Sequence, residues 1–547
     1  MAILLGLGLS VALTFLLVSY FPKYSISGSF ARTLPVLFTT YLAIRAVYLV
    51  ILYPIFFTPY KHLPVPPGRS IWNGHFKILQ ASSQGTPSAK WTREVPNDGI
   101  IRYYFMLNRE RLLVTSTKAL ADVLVNRAYD FAKTRALVAS IGWVTGIGVI
   151  LAEGDVHRLT ISKKVQRKNL NPAFSFRHIK ELYPIFWQKS VEMAERIAED
   201  IAPLPTDEKI ISFADYTGRA TLEIIGLAGM GYDLESVNEL REEYRKMFTT
   251  PGPFTRLIRN VVFLTWPELF FYLPLPYVRT ITAASQKIRE ISRLLVQRKR
   301  YELSSKKIDD SSGDIISVAL ESGNFTEEGL VDQIMTFLAA GHETTSIALQ
   351  YGTRILCTHP EVQSRLREEV RAKIPSPGQN KDVNGLRHIS STLLDTLPYL
   401  NAFCNELFRF YPPVTVTTRQ AIRDTVIAGQ PIKKGTNIVI APRATNRNPE
   451  FWGEDADVFN PDRWLAPGCA NTGGAESNYA FLTFIHGPRS CIGNTFAKGE
   501  LMCLVAVLAG RFEMELEDPD KELEITPGIT NRPADGVRAR LKVLEGW

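Results

Sequence analysis

In this 547-residue chain, Cys491 lies in the run FIHGPRSCIG, residues 484–493. A lone thiol is usually a small buried apolar group, but these neighbours suit a thiolate. Gly487 and Gly493 let the backbone turn sharply and approach a flat ligand closely. Pro488 stiffens the turn, and Arg489 supplies a fixed cation. From Asn494 onward the pattern TFAKGELMCLVAVLAG becomes helical. The sulfur therefore stands near a helix N-terminus, where the dipole favours negative charge. Backbone N–H groups and positive charge stabilise a thiolate, and thiolates ligate metals. The chemistry that suits this turn is cysteinate ligation of iron.

Two more runs invite chemistry. In CNELFRF, residues 404–410, Glu406 and Arg409 are three apart and share one helical face. In FLAAGHETTS, residues 337–346, the small pair Ala340–Gly341 precedes an acid, Glu343, and two threonines, Thr344 and Thr345. Glycine in a helix costs roughly 1 kcal/mol relative to alanine, and threonine hydroxyls bond back to a carbonyl and loosen the ladder. That makes room for a small ligand and sets hydroxyls beside it; a helix-packing notch is the plain alternative. A basic position, Arg419, closes the proline turn FYPPVTVTTR, residues 410–419.

Phe484, Gly487, Arg489, Cys491 and Gly493, taken in register, resemble the haem-binding loop of the cytochrome P-450 family. The resemblance covers nearly the whole chain after the spacer at 61–70, in the family's order. It implies a mainly α fold with small β-sheets, preceded by an N-terminal membrane anchor. It implies haem b (iron protoporphyrin IX) with Cys491 as axial ligand. Arg419 and Arg489, with Arg167, are then partners for haem propionates, which need paired cations when buried. Ala340 and Gly341 fall on the oxygen-binding kink, and Glu343 and Thr344 on the acid and threonine that pass protons to bound dioxygen. Glu406, Arg409 and the distant Arg463 of FNPDRW fall on a buried structural network behind the haem. Phe337, Val414, Thr415, Val416, Ile529 and Thr530 fall on pocket-lining segments, with no charge to grip a carboxylate.

The activity so implied is a haem-thiolate monooxygenase, inserting one oxygen atom from O2 into a lipophilic small molecule. Lipid, xenobiotic or secondary-metabolite (natural product) metabolism would supply that molecule. Thiolate ligation favours O–O cleavage. Electrons would come from NADPH through a flavoprotein reductase, at the endoplasmic reticulum membrane with the catalytic domain facing the cytosol. Lys163, Lys164, Arg167, Lys168 and Lys498 are candidates for a basic docking face toward an acidic reductase. Two alternatives keep the haem: an isomerase or dehydratase working without O2 and reductase, and a non-catalytic membrane haem protein. The retained Ala-Gly-x-Glu-Thr pattern argues against the first.

One segment departs from the family. In EGDVHRLTISKKVQRKNLNPAFS, residues 153–175, members place an aromatic or histidine and then an arginine four residues on. His157 has Ile161 at that place, and removing 159–164 brings Arg167 into it. Either Lys163 and Arg167, four apart, jointly face a propionate, or these six residues mark a misjudged exon boundary. Transcript sequencing separates the two.

These groups need elements to position them. Residues 1–21 carry no charged side chain and are long enough to cross a bilayer. No basic start or cleavage site marks a secretory signal, so an uncleaved anchor is expected. A second apolar run, Leu34 to Phe57, holds Arg45 near its middle, where a charge costs roughly 2.5–3.5 kcal/mol. Two readings stand for it, a second span or an interfacial segment. The domain plan is an anchor at 1–60, a proline-rich hinge at 61–70 and a catalytic domain at 71–547. A β-hairpin is expected around Asn108, and helices over 117–127, 177–200, 283–304, 327–357 and 360–373. The apolar run 253–278 is placed over the substrate entrance. With 45% apolar residues a sizeable core can form, and the charge of +8 favours anionic partners such as lipid headgroups or acidic proteins. No lysine-rich tail or basic repeat argues for nucleic acid. Five scattered cysteines give no disulfide or zinc framework.

Overall fold

The computed structural model describes residues 2–151, 163–205, 209–233, 238–247, 249–305, 314–377, 389–526 and 528–547. His157 and most of the stretch 159–164 lie outside the described residues.

Two apolar helices open the chain, α1 (Ala2–Tyr20) and α2 (Phe30–Val47), the latter continuing as a wider π-type segment over Tyr48–Phe57. The helices that build and surround the core are α3 (Lys163–Leu170), α4 (Tyr183–Ile201), α5 (Phe213–Met230), α6 (Pro253–Val262), α7 (Pro276–Ser305), α8 (Glu327–Thr358), α9 (Pro360–Lys373), α10 (Pro398–Phe410) and α11 (Asn494–Arg511). The expected helix at 177–200 is split at Leu182, because Pro184 starts a new first turn.

The largest sheet joins β1 (Ile100–Tyr104), β2 (Glu110–Val114), β3 (Phe131–Lys133), β5 (Thr417–Ala421) and β8 (Asn437–Ile440), in the order β1-β2-β8-β5-β3. A smaller sheet sets β12 (Arg538–Val543) between β4 (Ile210–Ser212) and β9 (Phe512–Leu516), and two-stranded pieces are made by β6 (Thr425–Ile427) with β7 (Gln430–Ile432) and β10 (Ile525–Thr526) with β11 (Arg532–Pro533). The fold is thus mainly helical with small sheets. The β1–β2 hairpin turns where expected: Leu107 and Asn108 both take φ of 53°. Asparagine tolerates that left-handed region well.

The long helix α8 forms the centre of the core, packed by α5, α7 and α11. Thr326 caps it by accepting from Gly329 N–H (3.1 Å), and Glu327 and Glu328 complement the dipole in its first turn. Its contact with α5 explains one sequence oddity. A Cβ on Gly341 would lie 2.9 Å from Cγ1 of Ile225, so only glycine admits α5 this closely. Thr221 donates to the carbonyl of His342 (3.0 Å), and Thr217 and Ser346 share a hydroxyl bond (2.8 Å). The notch reading of Gly341 therefore has a direct physical cause, and the helix remains continuous through 340–344.

The spacer 61–70 is pinned to the catalytic body. Pro64 O accepts from Arg102 N–H (2.9 Å), and Pro66 O is bonded to Nε2 of His75 (3.0 Å).

Candidate active site

Cys491 is held by a short turn between the Gly487–Arg489 helical turn and α11. Its N–H donates to Phe484 O (2.8 Å), closing the loop. Gly487 has φ +76°, and a Cβ there would lie 2.1 Å from the carbonyl oxygen of Leu124. Both facts demand glycine. Gly487→Ala would add about 1–3 kcal/mol of backbone strain before the clash is relieved. The expected outcome is a clear fall in the haem-bound fraction of purified protein, read from the ratio of haem to protein absorbance.

Cys491 is exposed at its surface while the residues on either side of it are partly accessible. Burial pushes its thiol up, while the Gly493 N–H and the Arg167 guanidinium pull it down. The donor set is one sulfur, a backbone N–H and a cation, which fits a thiolate ligand. Among the described residues there is no cluster of three or more His, Cys, Asp or Glu that could hold a metal ion. A single sulfur suits a metal that brings its other ligands with it, as a porphyrin does.

The helix α8 is opened in its middle. Gln333–Leu338 and Thr345–Thr353 are buried, but Ala339–Gly341, Glu343 and Thr344 are half-exposed in mid-helix. The Phe484–Ser490 and Ile492–Thr495 stretches are likewise partly accessible. Phe174 touches both sides: it packs on Phe337 (centroids 5.5 Å), and a Cβ on Gly493 would be 3.9 Å from it. Phe174 thus links the thiol loop to the Phe337 turn of α8, just before the half-open stretch.

Glu343 accepts from the Thr530 hydroxyl (2.9 Å). Burial pushes its carboxyl up to about 7, opposed by that bond and by Arg532. Thr344 donates back to Ala340 O (2.8 Å). Thr530, placed by sequence among pocket residues, is in fact the acid's hydrogen-bond partner, and Arg532 its nearby cation. Neither contact is readable from spacing, since 187 residues separate Glu343 from Thr530.

The cations gather near β3. Arg419 is buried, pairs in register with Lys133, and donates to Thr418 O (2.9 Å) and Thr417 Oγ1 (3.0 Å). Arg489 donates to Ala128 O and lies 5.8 Å from the centroid of the Tyr129 ring. Arg167 donates to Ser490 O (2.6 Å) and Ser490 Oγ (3.1 Å). It is therefore committed to the thiol loop and does not stand on an outer face. Lys498 is half-buried, and burial pushes its ammonium down. Of the expected docking cations whose side chains are described, Lys168 is the exposed one.

Among the other expected pocket residues, Phe337 is in the core against Phe174. Val416 packs on the Trp91–Tyr103 cluster, Thr415 is buried, Val414 is half-exposed and Ile529 is 43% exposed. The run 253–278 exposes Phe254, Leu257, Val261, Trp266, Leu269 and Tyr272.

Behind the loop, Glu406 and Arg409 are fully buried. Arg409 donates to Glu406 Oε1 (2.6 Å) and Oε2 (2.8 Å) and to three carbonyls, of Asn446, Ala456 and Val458. Arg463 adds a bond to Glu406 (3.3 Å), and Trp464 Nε1 another (3.0 Å). Trp464 was not foreseen; its place beside Arg463 in FNPDRW was the only signal.

The cytochrome P-450 family profile matches residues 64–536. The chain is similar to the cytochrome P-450 monooxygenase sphH of Aspergillus fumigatus, 44% identical over 540 residues, 97% of each chain. It is also similar to the monooxygenase FSL4 of Gibberella zeae, 39% identical over 527 residues (91% of each), and to ALT8 of Alternaria alternata, 37% identical over 563 residues (91% and 92%). With a thiol loop, a half-open acid–threonine stretch and a buried Glu–Arg–Arg network in one fold, and with these matches spanning nearly all of it, the chain belongs to the cytochrome P-450 family of haem monooxygenases.

Proposed function

We propose that Cys491 is the axial haem ligand and that the chain oxidises a lipophilic small molecule with O2, using NADPH electrons delivered by a flavoprotein reductase. The observation that carries this reading is the sulfur of Cys491, set between the Gly493 N–H and Arg167 in a turn that only Gly487 permits. The bound haem supplies the activation of dioxygen. The protein's own residues position, shield and move protons. Arg167 fixes the loop through Ser490; Arg419 and Arg489 would hold the propionates of a bound haem, and Ala340 and Gly341 would leave room for dioxygen.

Glu343 carries a proton on its carboxyl near neutral pH, and Thr344 relays it through its hydroxyl. The sign follows from the raised pKa of about 7. Below it the acid is protonated and can donate, and above it the donor is lost. Turnover is therefore expected to fall as pH rises past about 7. Glu343→Gln should lower kcat roughly 10²-fold and flatten that limb of the profile, measured as product formed per enzyme per unit time across the pH range. A raised acid also makes folding less favourable as pH rises from its unfolded value toward about 7; the glutamine variant lacks that slope.

Membrane attachment at the endoplasmic reticulum, with the domain in the cytosol, is supported by the apolar helices and the exposed apolar run at 253–278. Exposed patches of this kind meet a membrane or ligand, which suits a substrate entering from the bilayer. The relatives are named as monooxygenases of fungi, and secondary metabolism is the setting proposed here. The run Asn324-Phe325-Thr326 is an N-glycosylation sequon whose Asn324 is exposed, and it should carry no glycan if the domain is cytosolic.

The deciding experiment is a reduced carbon-monoxide difference spectrum of the membrane fraction, followed by turnover with and without NADPH and reductase. A thiolate-type spectrum with reductase-dependent product supports the proposal. Turnover without either supports the isomerase or dehydratase reading, and its absence under all conditions supports a non-catalytic haem protein.

A further inference from the structure

We propose that α1 and α2 cross the bilayer together as a helical hairpin, so that the residue-2 end of α1 lies on the same side as the catalytic domain. This deepens the membrane attachment proposed above and rests on it.

The two helices pack on each other. A Cβ on Gly6 would lie 2.0 Å from the Tyr41 ring, so the ring occupies the place of a side chain. Ser10 and Thr14, one and two turns on, are buried, and each hydroxyl bonds back within α1, to Gly6 O (2.8 Å) and Ser10 O (2.6 Å). Across from them Thr33 is buried and accepts from Ile26 N–H (2.9 Å). The outer faces are apolar and exposed: Leu4, Leu5, Leu9, Phe15, Ile44 and Val47. Ser10, Thr14 and Thr33 turn inward, and the exposed Thr39 hydroxyl is satisfied within its own helix by Val36 O (3.0 Å), so the outward surface suits hydrocarbon.

Register then resolves Arg45. With Gly6 against Tyr41 in antiparallel helices, Arg45 stands level with Ala2, one turn beyond the contact. The charge lies at the end of the hairpin, not in the middle of a span. A second observation sets the same boundary. Asn108 of the catalytic body donates to Val50 O (2.9 Å) and to Ile71 O. Val50 is therefore held against the catalytic body, and the chain joins that body here. What remains is Ala2–Tyr20 and Phe30–Val47, about 28 and 27 Å at 1.5 Å per residue, each close to the ~30 Å hydrocarbon thickness. The uninterrupted apolar helix Phe30–Phe57 of 28 residues would be about 42 Å, too long for one perpendicular span. Ile71 and Trp72, both exposed, flank the exit point, as interfacial anchors do.

The test uses full-length protein in sealed vesicles with the catalytic domain outward, and a membrane-impermeant polyethylene-glycol maleimide. Ala2→Cys and Ser27→Cys are scored by the extra band shift over the parent chain, whose own cysteines set the background. The hairpin predicts one added shift for Ala2→Cys without detergent, and for Ser27→Cys only after detergent. The reverse pattern means that α1 spans alone. Protection of both means that α2 spans alone, and labelling of both means that the pair lies on the surface. Any of these three overturns the hairpin. Release of the parent chain from membranes by alkaline carbonate overturns the attachment itself, a separate result.

Discussion

Cys491→Ser abolishes the reduced carbon-monoxide difference band and turnover while leaving the fold in place. Serine is nearly isosteric, and the bond that closes the loop uses the Cys491 backbone N–H to Phe484 O (2.8 Å), which survives the exchange. What is lost is the sulfur. A thiol next to a backbone donor and a cation can ionise and ligate iron; an alkyl hydroxyl in the same setting stays protonated and is a poor ligand. The Gly493 N–H and Arg167 are left without the anion they favour. Far-ultraviolet circular dichroism should match the parent, so a loss of pigment is not mistaken for unfolding. If spectrum and turnover both persist, Cys491 is not the ligand.

The second large effect is on stability. Glu406→Ala leaves the Arg409 guanidinium fully buried with only carbonyls for partners, and strips Trp464 and Arg463 of an acceptor. Removing one member of a buried pair costs about 3–5 kcal/mol. The expected result is a lower urea-unfolding midpoint of the detergent-solubilised protein and poor recovery of haem-bound material. Arg409→Met should be similarly damaging, since Glu406 then holds its charge on Arg463, Trp464 and the Asn460 N–H alone. The double variant should cost less than the sum of the two, because each single change includes the penalty of the partner left behind. Strict additivity would mean that the pair is not coupled.

The Cys491 loop was legible because its constraints are local: a positive φ at Gly487, a sulfur four residues later and a helix start lie within ten residues. Glu406 and Arg409 were legible for a similar reason, being three apart on one helix. The long helices were legible from periodicity, and α8 and α9 meet the expected bounds within a residue. What sequence hid is distant contact. Nothing in FLAAGHETTS says that Thr530 will bond Glu343, or that Ile225 is the reason for Gly341. Lys498 read as a surface cation because its charge is visible in the sequence and its burial is not. The split at Leu182 is marked in the sequence by Pro184, a residue that fits the first turn of a helix and not its interior. The run at 34–57 could be read two ways because its boundary depends on Asn108, a residue of a hairpin fifty positions on.

The Asn108 clamp also decides where the chain can be cut. Thr58 bonds Glu110 (2.8 Å), and Tyr60 is buried with its hydroxyl 2.7 Å from Thr436 and accepting from Lys433 N–H (2.9 Å). Residues 50–60 are thus the first stitches of the body rather than the last of the tail. A soluble version trimmed at the proline run would take the Val50 carbonyl from Asn108 and the Thr58 hydroxyl from Glu110, leaving them Ile71 O and Arg102, and would empty the Tyr60 cavity. Trimming just after Val47 keeps all three seams closed.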